Sequence, residues 1–285
     1  QNVTLGLTGD LSKRAGLRVI GDSLDVPGED FCAVTGLTYA PFAGGTARTV
    51  ATCGSRGYYL SESDFLPIGG PGHAPFTGGQ NNQFVFTTAL AQLVATNDTD
   101  RPFQWDGSAT STWLPVQFTG LTNAVTAART TTFFQNYLLV GNTVEGGTRY
   151  PTRVRWSNVG TINTWTNADY NDVAAPAGQE LSCMGQLYGD VYLGFSNSLY
   201  RMSLVGGSGT FAFTQVSNEV GCASKNSMQQ VTLANNQTGL LFLDNKKRVY
   251  FFNGTSPIEV STFIHGTLNA VQGSRLAYAV SAKDS

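Results

Sequence analysis

The chain has 285 residues, enough for one large all-β domain or two ordinary ones. Apolar residues make up 41% and charged residues only 13%, with 33 glycines and a formal net charge of -2. That balance argues against a disordered chain and against a basic surface that grips phosphates; no Lys/Arg run exceeds Lys246-Lys247-Arg248.

Strand signals dominate from the start. The N-terminal segment reads as strand Val3–Leu7, a turn at Thr8-Gly9-Asp10, a basic link at Lys13-Arg14, and strand Leu17–Ile20. A first residue of Gln1 rather than Met suggests processing or a portion of a longer polypeptide. The Gly-rich stretches 43–45 and 69–72 are punctuation; neither has the phosphate-loop or dinucleotide pattern between a strand and a helix. Residues 84–93 have the length of a short helix, but Phe84-Val85-Phe86-Thr87-Thr88 favours a strand.

A unit then recurs: an apolar strand, a turn, and a second strand carrying a large aromatic. It runs through residues 49–61, 90–107, 137–156, 190–207 and 239–254. The anchors Tyr59, Trp105, Trp156, Tyr200 and Tyr250 are separated by 46, 51, 44 and 50 residues. That period matches a four-stranded propeller blade, roughly 40 to 50 residues. The apolar runs 138–140, 191–193 and 240–243 fit inner strands buried on both faces. Residues 275–281 read as the first strand of a sixth unit, which the N-terminal strands would complete and close. The expectation is one all-β domain over residues 1–285, a six-bladed β-propeller of mostly four-stranded antiparallel blades.

Chemistry is sparse. His73 and His265 are the only histidines and stand apart from Cys, Asp or Glu at ligand spacing, so catalytic, cofactor and metal residues are all expected to be none. Cys32, Cys53, Cys183 and Cys222 form no zinc pattern; buried free thiols are expected first, with one or two disulfides left open. Arg149, Arg153 and Arg155 are the tight arginine group, and salt bridges explain Arg153 and Arg155 better than capture of a substrate carboxylate. Glu29-Asp30 and Asp169 with Asp172 read as solvated turns, and Asp98, Asp106 and Asp244 as turn formers. Ser157-Asn158-Val159-Gly160 before Trp165 resembles the Asp-box turn of sialidase-like propellers, with Asn158 in place of the Asp and one residue too few.

Several stretches resemble one family more fully: residues 2–20, QLVATNDTDRPFQWDG at 92–107, RVRWSNVGTINTW at 153–165, and residues 221–254 and 263–280. The family is the tail nozzle or tail hub of short-tailed bacteriophages. The resemblance implies a structural virion protein and no enzyme. It implies a homohexamer at the tail tip that meets adaptor, portal and tail-fibre proteins and passes DNA without sequence-specific binding. No continuous apolar run reaches membrane-spanning length. The alternatives from the residues themselves are a glycan-binding propeller with sites at Trp105, Trp113, Trp156 or Trp165, and a sialidase-like hydrolase.

Overall fold

The computed structural model describes residues 3–5, 11–13, 33–206, 210–233 and 236–280. Among them stand five four-stranded antiparallel sheets, each made of strands consecutive in the chain. Blade 1 is Val34–Pro41, Ala47–Cys53, Arg56–Ser61 and Asp64–Pro67. Blade 2 is Val85–Ala89, Gln92–Thr96, Phe103–Trp105 and Leu114–Pro115. Blade 3 is Val125–Phe134, Tyr137–Glu145, Thr148–Ser157 and Trp165–Asp172. Blade 4 is Leu181–Leu187, Asp190–Phe195, Leu199–Leu204 and Phe211–Ser217. Blade 5 is Gln229–Thr232, Thr238–Leu243, Val249–Phe252 and Pro257–Glu259. The first strands of neighbouring blades touch in chain order, so the sheets stand side by side as a β-propeller.

Tight hairpins set this order. Gln135-Asn136, Gly146-Gly147 and Tyr188-Gly189 are two-residue loops with both residues at positive φ, the turn whose twist matches that of the flanking strands.

The apolar runs 138–140, 191–193 and 240–243 lie on the second strand of each blade and not on the innermost one. The innermost strands carry Thr131, Thr132, Gln186, Gln229 and Gln230 instead. The cause is position: an innermost strand faces the central space, whereas a second strand is covered on both faces.

The aromatic anchors wedge between blades, as the repeat predicts. Trp105 lies 5.7 Å from Tyr59 and 5.2 Å from Phe42, closing blade 2 on blade 1. Trp156 meets Phe211 of blade 4 edge-on at 5.1 Å. Tyr200 donates its hydroxyl to Ala174 O at 2.9 Å, and Tyr250 packs with Leu187 and Tyr192 of blade 4. A wholly buried indole such as Trp105 contributes on the order of 5 kcal/mol of gross transfer energy.

The blade count differs from six. Residues 275–280 add no strand: Gly273–Tyr278 is a 3-10 helix that follows a short helix, His265–Ala270. Its groups are satisfied by local turns, Arg275 N to Gln272 O and Ala279 N to Leu276 O, and by Ser224 Oγ, which donates to Ala277 O and Ala279 O. Beyond these, Val280 makes only an isolated parallel bridge to Asn226. At the other end Val3–Leu5 pairs with Leu11–Lys13 as a separate hairpin, and Leu17–Ile20 lies outside the described residues. Cys183 and Cys222 are buried free thiols, as expected, while Cys53 is disulfide-bonded.

Candidate functional site

The innermost strands enclose a central cavity of about 540 Å³. Its wall is amphipathic, with Phe84, Phe86 and Met228 beside Gln83, Thr131 and Lys225. The chain's last described residues lie at this cavity. Gln83 Nε2 donates to Tyr278 O at 3.1 Å, Asn226 pairs with Val280, and Asn226 Nδ2 reaches Phe84 O at 3.2 Å across the ring.

A second cavity of about 270 Å³ adjoins it, lined by Asn82, Asp98, Arg129, Ser182, Lys225 and Tyr278 among others. Charge concentrates here. Asp98 sits at positive φ in the turn after Gln92–Thr96 and holds Arg129 at 3.1 Å and Arg149 at 2.8 Å. Arg129 also bonds Glu180 at 2.6 Å. Lys225 belongs to the link between blades 4 and 5 and lines both cavities. Burial pushes its ammonium down to about 8, with Asp98 opposing and Arg129 reinforcing the shift.

Blade 3 carries a different cluster. Glu145 accepts from Arg155 Nη2 at 2.8 Å and Arg153 Nη1 at 3.1 Å, and all three side chains are buried. Arg153 also makes a two-pronged contact with Asp172, at 2.7 and 2.8 Å, between the rings of Tyr150 and Tyr170. Burial opposes the Arg153 charge, yet Asp172 and Glu145 together hold its pKa above the ordinary arginine value. This is a closed structural network with no guanidinium face left for a substrate carboxylate.

The structure keeps most predicted positions apart. Ser157–Trp165 is a structural turn: Ser157 Oγ donates to Thr161 O, Leu138 N donates to Ser157 Oγ, and Trp165 Nε1 donates to Ile162 O. Asp106 and Asp244 accept backbone N–H groups as turn formers. Asp98 does more than form a turn, and Asp172 is an ion-pair partner, not simply a solvated turn. Trp105, Trp113, Trp156 and Trp165 are all buried, so none forms a glycan platform. His265 pairs with Glu259, while His73 packs against Gly69. Glu29-Asp30 lies outside the described residues. No group of His, Cys, Asp and Glu suited to a metal occurs among the described residues. No helix there is long and apolar enough to cross a membrane. The Asp98 and Lys225 cluster was missed because its members are scattered: Arg129 and Arg149 lie 31 and 51 residues from Asp98.

No family model and no curated protein matches the chain. Solved structures do resemble it. A chain of the Chaetomium thermophilum Polycomb Repressive Complex 2 bound to GSK126 aligns at 9% identity and TM-score 0.50, over 80% of this chain and 58% of that one. The WD40 repeats of RRP9 align at 8% identity and TM-score 0.47, over 84% and 64%. A fungal alcohol oxidase of the AA5 family in complex with copper aligns at 13% identity and TM-score 0.47, over 88% and 57%. The chain spans less than two thirds of the length of each. At this distance the likeness concerns the propeller fold alone.

Proposed function

We propose that the chain is a structural subunit of a bacteriophage tail, of the nozzle or hub type, which assembles with copies of itself into a ring around the genome's path. The observation that carries this reading is an uncovered apolar stretch on and just after the last strand of blade 5. Within residues 258–264, Phe263 is fully exposed and Ile258, Val260 and Ile264 are about half exposed. Such a run marks a surface meant for another protein. The RVRWSNVGTINTW segment supports the family, since it lies on the last two strands of blade 3 and the turn between them.

The genome's path would lie on the axis of the assembly. A cavity of about 540 Å³ is far too small for duplex DNA, one turn of which is about 34 Å long. Low surface charge suits a wall that DNA slides along without sticking. A glycan-binding reading is weaker because its four tryptophans are buried.

The reading keeps six sectors. Blades 1 to 5 touch in sequence, but no comparable contact joins blade 5 to blade 1. Leu37 and Tyr39 stay exposed on blade 1's innermost strand. The N-terminal segment would fill the gap, so a chain starting at residue 33 should unfold at lower denaturant; an unchanged midpoint rejects that closure. For the function itself, native mass spectrometry should give a hexamer, and labelled antibody should decorate a tail tip. A strict monomer that never joins a particle would end the proposal.

A further inference from the structure

Lys225 is held without choice of position. Cys222 N donates to Phe195 O and Ala223 N to Leu243 O on the preceding side. Ser224 Oγ grips the carbonyls of Ala277 and Ala279, and Ser227 N closes a turn onto Ser224 O. This pinned turn sets the Lys225 side chain at the boundary of the two cavities.

The surrounding charges do not cancel. Arg129, Arg149 and Lys225 supply three positive charges; Asp98 and Glu180 supply two negative ones. Both carboxylates are taken by the arginines, and among the described residues Lys225 makes no hydrogen bond or ion pair. The central cavity also contains an orphaned acceptor. Gln83 Nε2 donates to Tyr278 O, which fixes the amide's orientation, and leaves Gln83 Oε1 buried without a partner. A lysine without a hydrogen-bond partner and an empty carbonyl, on two residues that line one amphipathic cavity, are each unfavourable unless something fills the space. The volume suits a small ligand.

We propose that the central cavity binds a small monocarboxylate that also carries a hydroxyl donor, such as a sugar acid, with its carboxylate on the Lys225 ammonium and its hydroxyl toward Gln83 Oε1. A single negative charge suits the one lysine of the central cavity, Lys225. Phe84, Phe86 and Met228 would pack on the ligand's carbon face. The site is independent of whether the chain assembles into a tail.

The probes are D-glucuronate, D-glucose as the neutral control, acetate as the control without a hydroxyl, and inorganic phosphate. Calorimetry and ligand-observed NMR on the full chain should show saturable D-glucuronate binding with Kd at or below about 1 mM. D-Glucose should bind at least about tenfold more weakly. K225M should lose about tenfold in D-glucuronate affinity, while K225R, a folded control that keeps the cation, retains it. Q83M should weaken D-glucuronate and leave acetate unchanged. Absence of saturable D-glucuronate binding, equal affinity in K225M, or tighter binding of phosphate would each overturn the site.

Discussion

Glu145 shows how far a side chain's surroundings decide its worth. It is the one carboxylate between two buried guanidiniums, 2.8 Å from Arg155 and 3.1 Å from Arg153. Glu145→Gln leaves buried Arg155 without a carboxylate and Arg153 with Asp172 alone, so about 3–5 kcal/mol of stability should go. Asp172 pairs with the same Arg153 from a half-exposed position, and Asp172→Asn should cost no more than about 1 kcal/mol. Urea unfolding of the two variants checks the contrast; equal losses would refute it. Lys225 acts in the opposite sense. Its folded pKa, about 8, lies below its unfolded value of 10.5, so the unfolded chain binds more protons between those two limits. Stability from this group therefore rises as pH climbs from 8 to 10.5, and below 8 the charged form is a burden. Lys225→Met should be more stable than wild type near pH 7 by up to about 3 kcal/mol, and the difference should vanish by pH 10.5. Denaturant midpoints across that range measure it. At this scale the alternation Arg153-Val154-Arg155 announced its own salt bridges. The Asp98 ledge was silent, because an Asp in a turn looks the same whether or not distant arginines arrive.

Within elements, the strands were legible wherever a turn and an aromatic bracket them, and the errors follow from physics. Residues 275–281 have a strand's composition, but a short apolar run does not reveal its own geometry. Ser224 satisfies carbonyls of that segment, so it winds into a 3-10 helix. The innermost strands were overlooked in favour of the second strands for a related reason: lining a cavity requires threonine and glutamine, which mute the apolar signal. One hairpin is visibly strained. Leu90 and Ala91 join the first two strands of blade 2 with φ of 50° and 59°, a conformation that costs residues with a Cβ. Replacing both, Leu90→Asn with Ala91→Gly, supplies the residues this turn favours and should stabilise the protein by about 1 kcal/mol. A raised thermal midpoint with unchanged circular dichroism is the expected result; a lowered midpoint would show that Leu90 contributes packing the turn depends on.

For the whole molecule, radial packing makes each interface a separate apolar cluster. Blades 1 and 2 share one around Trp105, blades 2 and 3 one around Trp165, blades 3 and 4 one around Trp156, and blades 4 and 5 one around Phe242. The regular spacing of bulky rings in the sequence reported part of this arrangement: the anchors Tyr59, Trp105, Trp156, Tyr200 and Tyr250 fall in three of the clusters, and the one around Trp165 holds none of them. Where the row of blades stops was not encoded that way, since an end face carries no ring that must recur. Beyond the last interface lies Phe263, which touches water on all sides. An aromatic side chain in that state adds almost nothing to the stability of a single subunit, and its apolar area is available to a neighbour. Phe263→Ser combined with Ile264→Ser should therefore leave the unfolding free energy within about 0.5 kcal/mol of wild type. The same pair should convert the assembled species into monomer in sedimentation velocity, since burying two such side chains contributes about 3–6 kcal/mol gross per contact. Loss of fold would place Phe263 in the subunit's own core, and full assembly by the variant would move the contact surface elsewhere on the ring.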